Sequence, residues 1–190
     1  MTTPQELNIV EVVTREHGET FAEWWGEVSR RSGALTEASA ETGIMTFPDD
    51  PKEQERYHAI EHEIARRVFS DLHWSIADTF VRIANEVLTK ERGGPMSPPA
   101  KLNIVDSVTR AHGETFADEW FEGSFDTSAI TEAITDTEIM QWPYDRGDGD
   151  DLFLNIQDEI SQRVCDQLRS AAVETFVRIA NEVLTRRREE

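Results

Sequence analysis

The chain has 190 residues, a formal net charge of −19 at pH 7, and 38% hydrophobic and 30% charged residues. This length allows a buried core, and five Trp and nine Phe supply apolar volume for it. The negative charge excludes direct nucleic-acid binding, which needs Lys and Arg at the phosphates, and favours a basic protein partner. The single cysteine, Cys165, excludes an intramolecular disulfide.

The start of the chain has no basic segment followed by an apolar one, as a secretory signal would have. No apolar run approaches the roughly 20 residues of a membrane span. We therefore expect a cytoplasmic protein that does not act in a membrane.

The sequence is a tandem repeat of one unit. Residues 6–28 align with 101–123 at an offset of 95 with 15 of 23 positions identical, and TFVRIANEVLT occurs unchanged at 79–89 and 175–185. We predict a first copy at 1–92, a Gly/Pro-rich linker at 93–100 and a second copy at 101–190. Two copies are too few for a solenoid, so the pattern indicates a pseudo-symmetric dimer within one chain.

The first element of each copy has an amphipathic helical pattern. Thr3 and Pro4 suit a helix start, and one apolar face continues through Leu7, His17, Phe21 and Trp24. We predict a helix from Thr3–Pro4 to near Ser32–Gly33, with an equivalent from Leu102 to Trp120.

A connector and a longer helix follow. The connector contains a short helical segment, ALTEASAE, and then an Ile-Met-x-aromatic-Pro sequence. The longer helix begins at Pro51, and its apolar positions from Tyr57 to Val87 recur every 3.75 residues on average. That period exceeds 3.6, so we predict a curve, a twist or a break near residues 69–75. Two such hairpins sharing their apolar faces predict an all-α fold, a pseudo-twofold four-helix bundle.

Several residues are candidate metal ligands. His17 and His112 lie on the apolar face at equivalent positions, each before a Gly that would permit close helix approach, although two rings are too few for zinc. We therefore favour a hydrogen-bonded core histidine at both positions over a metal ligand. The spacing of Glu55, His58 and His62 matches that of di-iron bundles, but the second copy lacks these residues. The full candidate set is His17, His112, Glu63, Glu159, Glu55, His58 and His62.

A partner-binding surface is suggested by identity between the copies outside the apolar stripe. Core packing alone would allow outward residues to drift. The outward residues retained in both copies are Arg15, Glu19, Arg82, Asn85, Glu86, Arg110, Glu114, Arg178, Asn181 and Glu182. A recent duplication would leave the same pattern, so both interpretations stay open.

The chain carries no specific catalytic motif and no Gly-rich phosphate loop. We therefore favour a non-enzymatic, acidic helical interaction module that engages a basic partner as an inhibitor or DNA mimic, with no cofactor. The alternative is a metal-dependent helical-bundle enzyme or storage protein, of the di-iron or Mg-dependent nucleotide pyrophosphatase type. A third hypothesis is assembly into a homo-oligomer through the identical surfaces.

Overall fold

A computed structural model of the chain describes residues 5–27, 32–93, 103–122, 127–141 and 148–189. The described residues are mostly helical, with six helices and a small two-stranded sheet, in agreement with the predicted all-α class. Within the described ranges, no helix combines the length and the apolar character that crossing a membrane requires.

The elements of the two copies follow the same order. The first copy forms α1 (Arg15–Glu27), α2 (Ser32–Glu41) and α3 (Pro51–Gly93). The second copy forms β1 (Asn103–Ile104), α4 (Arg110–Glu122), α5 (Thr127–Asp136), β2 (Met140–Gln141) and α6 (Asp148–Glu189). The start of α3 at Pro51 is as predicted, because Asp50 Oδ1 accepts the backbone N–H of Lys52 at 2.8 Å.

The chain forms two compact units that do not follow the repeat. Unit 1 comprises Met1–Leu72 and Arg169–Glu190, and unit 2 comprises His73–Leu168. The predicted division into 1–92 and 101–190 therefore describes the repeat in the sequence, whereas each compact unit contains residues of both copies. The predicted linker lies outside the described residues, except for Gly93 at the end of α3.

The predicted start of the first helix is wrong. Residues 5–14 are not helical, and α1 begins only at Arg15; Thr3 and Pro4 lie outside the described residues. The segment before α1 instead pairs with the connector, where Val10 N–H donates to Ile44 O at 3.0 Å and Ile9 bridges Met45. The β-branched run from Ile9 to Thr14 favours this extended backbone over a helix.

The same pairing recurs in the second copy, where β1 and β2 are antiparallel and Ile104 lies opposite Met140. At the predicted end of the first helix, near Ser32–Gly33, the structure has the start of α2, and residues 28–31 lie outside the described residues. The helical segment predicted in the connector is confirmed as α2.

Of the curve, twist or break predicted near residues 69–75, the break is absent, since α3 is continuous from Pro51 to Gly93. The apolar positions themselves are confirmed, and those from Tyr57 to Val87 are all buried. The boundary between the units lies between Leu72 and His73, so the two parts of one helix contribute to different cores.

The helices α2 and α5 end in the same way but with different residues. Gly43 follows α2 with φ of 68°, and the equivalent residue after α5 is Glu138 with φ of 54°. A left-handed backbone strains any residue with a Cβ, whereas Gly adopts it freely. Buried Thr42 and Thr137 precede these positions, and each hydroxyl donates to a carbonyl of the preceding turn at 2.6 Å.

We expect Glu138→Gly to stabilise the protein by about 1 kcal/mol, because it removes the left-handed strain. Gly43→Ala should destabilise by a similar amount of about 1 kcal/mol, although an added Cβ meets no atom within 4 Å. Urea unfolding followed by circular dichroism measures both changes. An unchanged midpoint in both variants would contradict the assignment of strain to these two positions.

Candidate functional site

The most specific polar contact in unit 1 is made by Asn181 of α6 with the backbone just before α1. Val13 N–H donates to Asn181 Oδ1 at 2.8 Å, and Asn181 Nδ2 donates to Val13 O at 2.8 Å and to Val177 O at 2.9 Å. One amide thus satisfies both backbone groups of Val13, whose residue surface is only 2% exposed. We call this two-way contact the asparagine clamp.

Next to the clamp, α1 approaches α6 closely at Gly18. A Cβ built on Gly18 would lie 2.7 Å from Val177 Cγ2 and 2.9 Å from both Val173 Cγ1 and the Val173 carbonyl oxygen. One turn further along, the rings of Phe21 and Phe176 stack with centroids 4.2 Å apart. The close approach that the His-Gly pair predicted is therefore confirmed, and it buries Phe21 completely.

Unit 2 repeats these contacts with the copies exchanged. Asn85 of α3 clamps Val108, with Val108 N–H to Asn85 Oδ1 and Asn85 Nδ2 to Val108 O both at 2.8 Å. Gly113 of α4 approaches the backbone of Ala77, and Phe116 stacks on Phe80 at 4.2 Å. In each unit, the start of the short helix of one copy thus packs against the segment TFVRIANEVLT of the other copy. The same packing arrangement is formed once in each unit.

His17 and His112 belong to helix caps. Thr14 and Thr109 precede α1 and α4, and their backbone N–H groups donate to the Nδ1 atoms of His17 and His112 at 2.9 and 3.0 Å. A side chain in the first turn that reaches back to the capping residue is the reciprocal half of a capping box. Both rings are partly exposed, so the expectation of a core histidine is wrong in its burial, although the rings are hydrogen-bonded.

An ion-pair cluster borders the clamp in each unit. In unit 1, Glu182 pairs with Arg67 and with Arg178 at 3.1 Å, and Arg178 also reaches Asp71 at 2.6 Å. These guanidinium groups hold the pKa of Glu182 below its ordinary value, with the hydrogen bond from Arg67 as the largest cause. The contacts with Asp71 and Glu182 raise the pKa of Arg178.

Unit 2 contains the equivalent cluster. Glu86 pairs with Arg163 and with Arg82 at 3.1 Å, and Arg82 donates to Gln167 where unit 1 has Asp71. The pKa of Glu86 is lowered, chiefly by the hydrogen bond from Arg163 and then by that from Arg82. Because these side chains are a quarter to a half exposed, each ion pair adds little to the stability of its unit.

The predicted partner-binding residues therefore have contacts inside the units. Arg82, Asn85 and Glu86, with their equivalents Arg178, Asn181 and Glu182, join α3 and α6 to the rest of each unit through the clamp and the clusters. Arg15 pairs with Glu19 at 2.9 Å and Arg110 with Glu114 at 3.0 Å along the outer faces of α1 and α4. The contacts of Asn85 and Asn181 give these two residues a structural role within the units, and a role of the retained residues in partner binding stays a prediction.

The candidate metal ligands are not assembled into a site. Glu63 pairs with Arg186 at 3.3 Å and with Arg187 at 2.8 Å, and Glu159 pairs with Lys90 at 3.2 Å. His58 contacts Glu61, whereas Glu55 and His62 are exposed. Across the part of the chain that the structure describes, no group of three or more His, Cys, Asp or Glu is placed to hold a metal ion.

A buried polar cluster in unit 1 was missed by sequence reasoning. The Glu61 side chain is 5% exposed, lies with Oε2 3.3 Å from His58 Nδ1, and acts on the pKa of the Tyr57 hydroxyl. Phe47 covers this cluster, edge-on to Tyr57 with centroids 5.2 Å apart. Burial first, and then the charge of Glu61, raise the pKa of Tyr57 to about 12.

The second copy replaces this cluster with an uncharged one. Gln157 occupies the position of Glu61 and donates to Thr131 O at 2.9 Å and to Thr135 Oγ1 at 3.0 Å, joining α6 to α5. Phe153 and Leu154 stand where the first copy has Tyr57 and His58. A polar residue within the apolar stripe of both copies was the available signal for a buried polar position.

No protein-family model matches the chain, and comparisons with curated proteins and with solved structures give no match.

We predict that Gly18→Ala destabilises the protein by about 1–3 kcal/mol, because the new methyl would overlap the carbonyl oxygen of Val173. In an open helix the same change would stabilise by about 1 kcal/mol, so the sign of the effect is diagnostic. Chemical unfolding of Gly18→Ala and of the equivalent Gly113→Ala provides the measurement. A stabilising effect in both variants would show that the helices do not approach this closely.

We also predict that Tyr57, one of the two tyrosines of the chain, ionises near pH 12. Phenolate absorbance against pH should lose its late step in Tyr57→Phe, which the second copy already tolerates as Phe153. Since the unfolded chain ionises Tyr57 near pH 10, the stabilisation from its neutral form is complete below that pH and is lost between about 10 and 12. A late step that persists in Tyr57→Phe would contradict this assignment.

Proposed function

We propose that the protein is a non-enzymatic, acidic helical interaction module of the cytoplasm that engages a basic partner surface. In this proposal the two copies form a pseudo-twofold four-helix bundle, a duplicated pseudo-dimer that presents equivalent faces to its partner. The equivalence of the clamps, glycine contacts and ion-pair clusters in the two units supports this symmetry.

The observation that carries the proposal is the excess of acidic over basic side chains, together with the engagement of the basic ones in ion pairs. Basic side chains are engaged in ion pairs within the units, at Arg15, Arg56, Arg67, Arg82, Lys90, Arg110, Arg163, Arg178, Arg186 and Arg187. The chain has 19 Lys and Arg but 38 Asp and Glu, so acidic side chains outnumber basic ones two to one. The outward field is therefore strongly negative and attracts cationic surfaces.

The outer face of α1 shows this excess locally. Glu16 and Glu23 are exposed and form no ion pair with any residue that the structure describes, while Glu19 is paired only with neighbouring Arg15. On α4, Glu119 is likewise exposed and unpaired among the described residues. We propose these two helix faces as the contact region, together with the predicted residues Arg15, Glu19, Arg110 and Glu114.

A DNA mimic is the more specific form of this proposal, in which carboxylates take the place of phosphates on a nucleic-acid-binding protein. Such a partner would be released by rising salt, because its contacts with the module are between exposed charges. It would also be displaced by DNA, since both ligands would occupy the same basic surface.

Binding of a nona-arginine peptide at increasing NaCl tests the proposal. We expect affinity to fall by about tenfold or more between 50 and 200 mM salt. Glu16→Gln with Glu23→Gln should weaken binding by about fivefold or more, because it removes unpaired charge from the proposed face without breaking an ion pair.

The matched control is Asp78→Asn with Glu174→Gln, which removes the same charge from exposed, equivalent positions on α3 and α6. Equal losses in the two double variants would show that only total charge acts and would contradict a contact face on α1. Binding that does not change with salt would overturn the proposal as a whole.

A further inference from the structure

The docking contacts of each unit join different copies of the repeat. Val13 belongs to the first copy and its clamp, Asn181, to the second; Val108 belongs to the second and its clamp, Asn85, to the first. The same exchange holds for the ring stacks and the glycine contacts. No clamp within a single copy occurs among the described residues.

The ion pairs along the long helices have the same property. In unit 1, Arg67 and Glu63 of the first copy meet Glu182 and Arg187 of the second. In unit 2, Arg163 and Glu159 of the second copy meet Glu86 and Lys90 of the first. Both the apolar contacts and their charged border therefore lie between copies.

A copy deprived of its counterpart would expose the apolar faces that these contacts cover. Phe21 and Phe80 of the first copy are fully buried, and each stacks on a ring of the second copy. Exposing such rings to water is strongly unfavourable, so each copy needs the other to complete its core.

We infer that residues 77–88 and 173–184 form an interaction surface for another copy of the repeat. The part of that copy that binds there is residues 13–21 or their equivalents in the second copy. The two copies recognise each other as separate subunits would, and the covalent linker is not required to hold them together. This inference rests on packing alone and is independent of any binding to a basic partner.

The ion pairs along the long helices also favour the association of a first copy with a second copy over the association of two first copies. Arg187, which meets Glu63 at 2.8 Å, is replaced by Glu91 at the equivalent position of the first copy. Two first copies would therefore place Glu63 near Glu91 twice, and like charges at such a contact oppose association. Two second copies would keep Arg186 and Arg187 opposite Glu159 and lack this penalty.

The test is to place a specific protease site within residues 93–100 of the full chain and to cut it under native conditions. Native mass spectrometry should then show both halves in one 1:1 species, with the 21.7 kDa of the intact chain plus one water. Separation into two species of about half that mass at micromolar concentration would overturn the inference.

Variants of the cut protein test the surface itself. Asn85→Ala with Asn181→Ala should raise the dissociation constant of the two halves by at least about tenfold, because each clamp loses its two hydrogen bonds to the other copy. Asn155→Ala, an exposed change on the same helix α6, should leave dissociation unchanged. Equal effects of the two variants would overturn the assigned surface.

Circular dichroism of the uncut clamp variant shows whether it folds. If it does not, the single change Asn85→Ala, which leaves the second clamp intact, is used instead and compared with Asn155→Ala in the same way.

Denaturing and refolding the cut halves tests which copies prefer to pair, since the unlike pair and the two self-pairs differ in mass. A dominant self-pair of the first copy would contradict the charge argument.

Discussion

The structure depends on the close approach of each short helix to a long helix of the other copy. At Gly18 and Gly113 the backbones come so near that even a methyl group would overlap a carbonyl oxygen. This distance brings the segment before each short helix within reach of an asparagine amide, which satisfies both backbone groups of Val13 or Val108. The helix start, the short antiparallel pairing and the stacked phenylalanines all follow from that placement.

Periodicity along the long helices was sufficient to predict their burial, because one apolar stripe continues from Tyr57 to Val87. It was not sufficient for the first helix, where the same arithmetic extended the face back through Leu7. The residues from Ile9 to Thr14, most of them β-branched, are not helical there, since Ile44 and Asn181 satisfy backbone groups of Val10 and Val13. Those partners are distant in the sequence, and a local pattern contains no information about them.

The candidate site, too, could be predicted from the sequence only in part. The sequence singled out Asn85 and Asn181 as retained residues, and the structure gives them a definite contact. It could not indicate which copy supplies each contact, because identical segments produce the same local pattern in either pairing. Burial of Glu61 and Gln157 was also missed, since polar residues in an apolar stripe are ordinarily assigned to solvent. Differences between copies at these positions show that the two units need not remain chemically alike.

The division of the chain between the units has a consequence for its biosynthesis. Unit 2 is one continuous stretch, His73–Leu168, so all its residues have been made once translation passes Leu168. Unit 1 joins Val13 to Asn181 across 168 residues, and its first 72 residues have no completing helix until residues 169–190 have been made. Phe21 and its neighbours are therefore without their native cover until that point, and all residues of unit 2 have been made before those of unit 1.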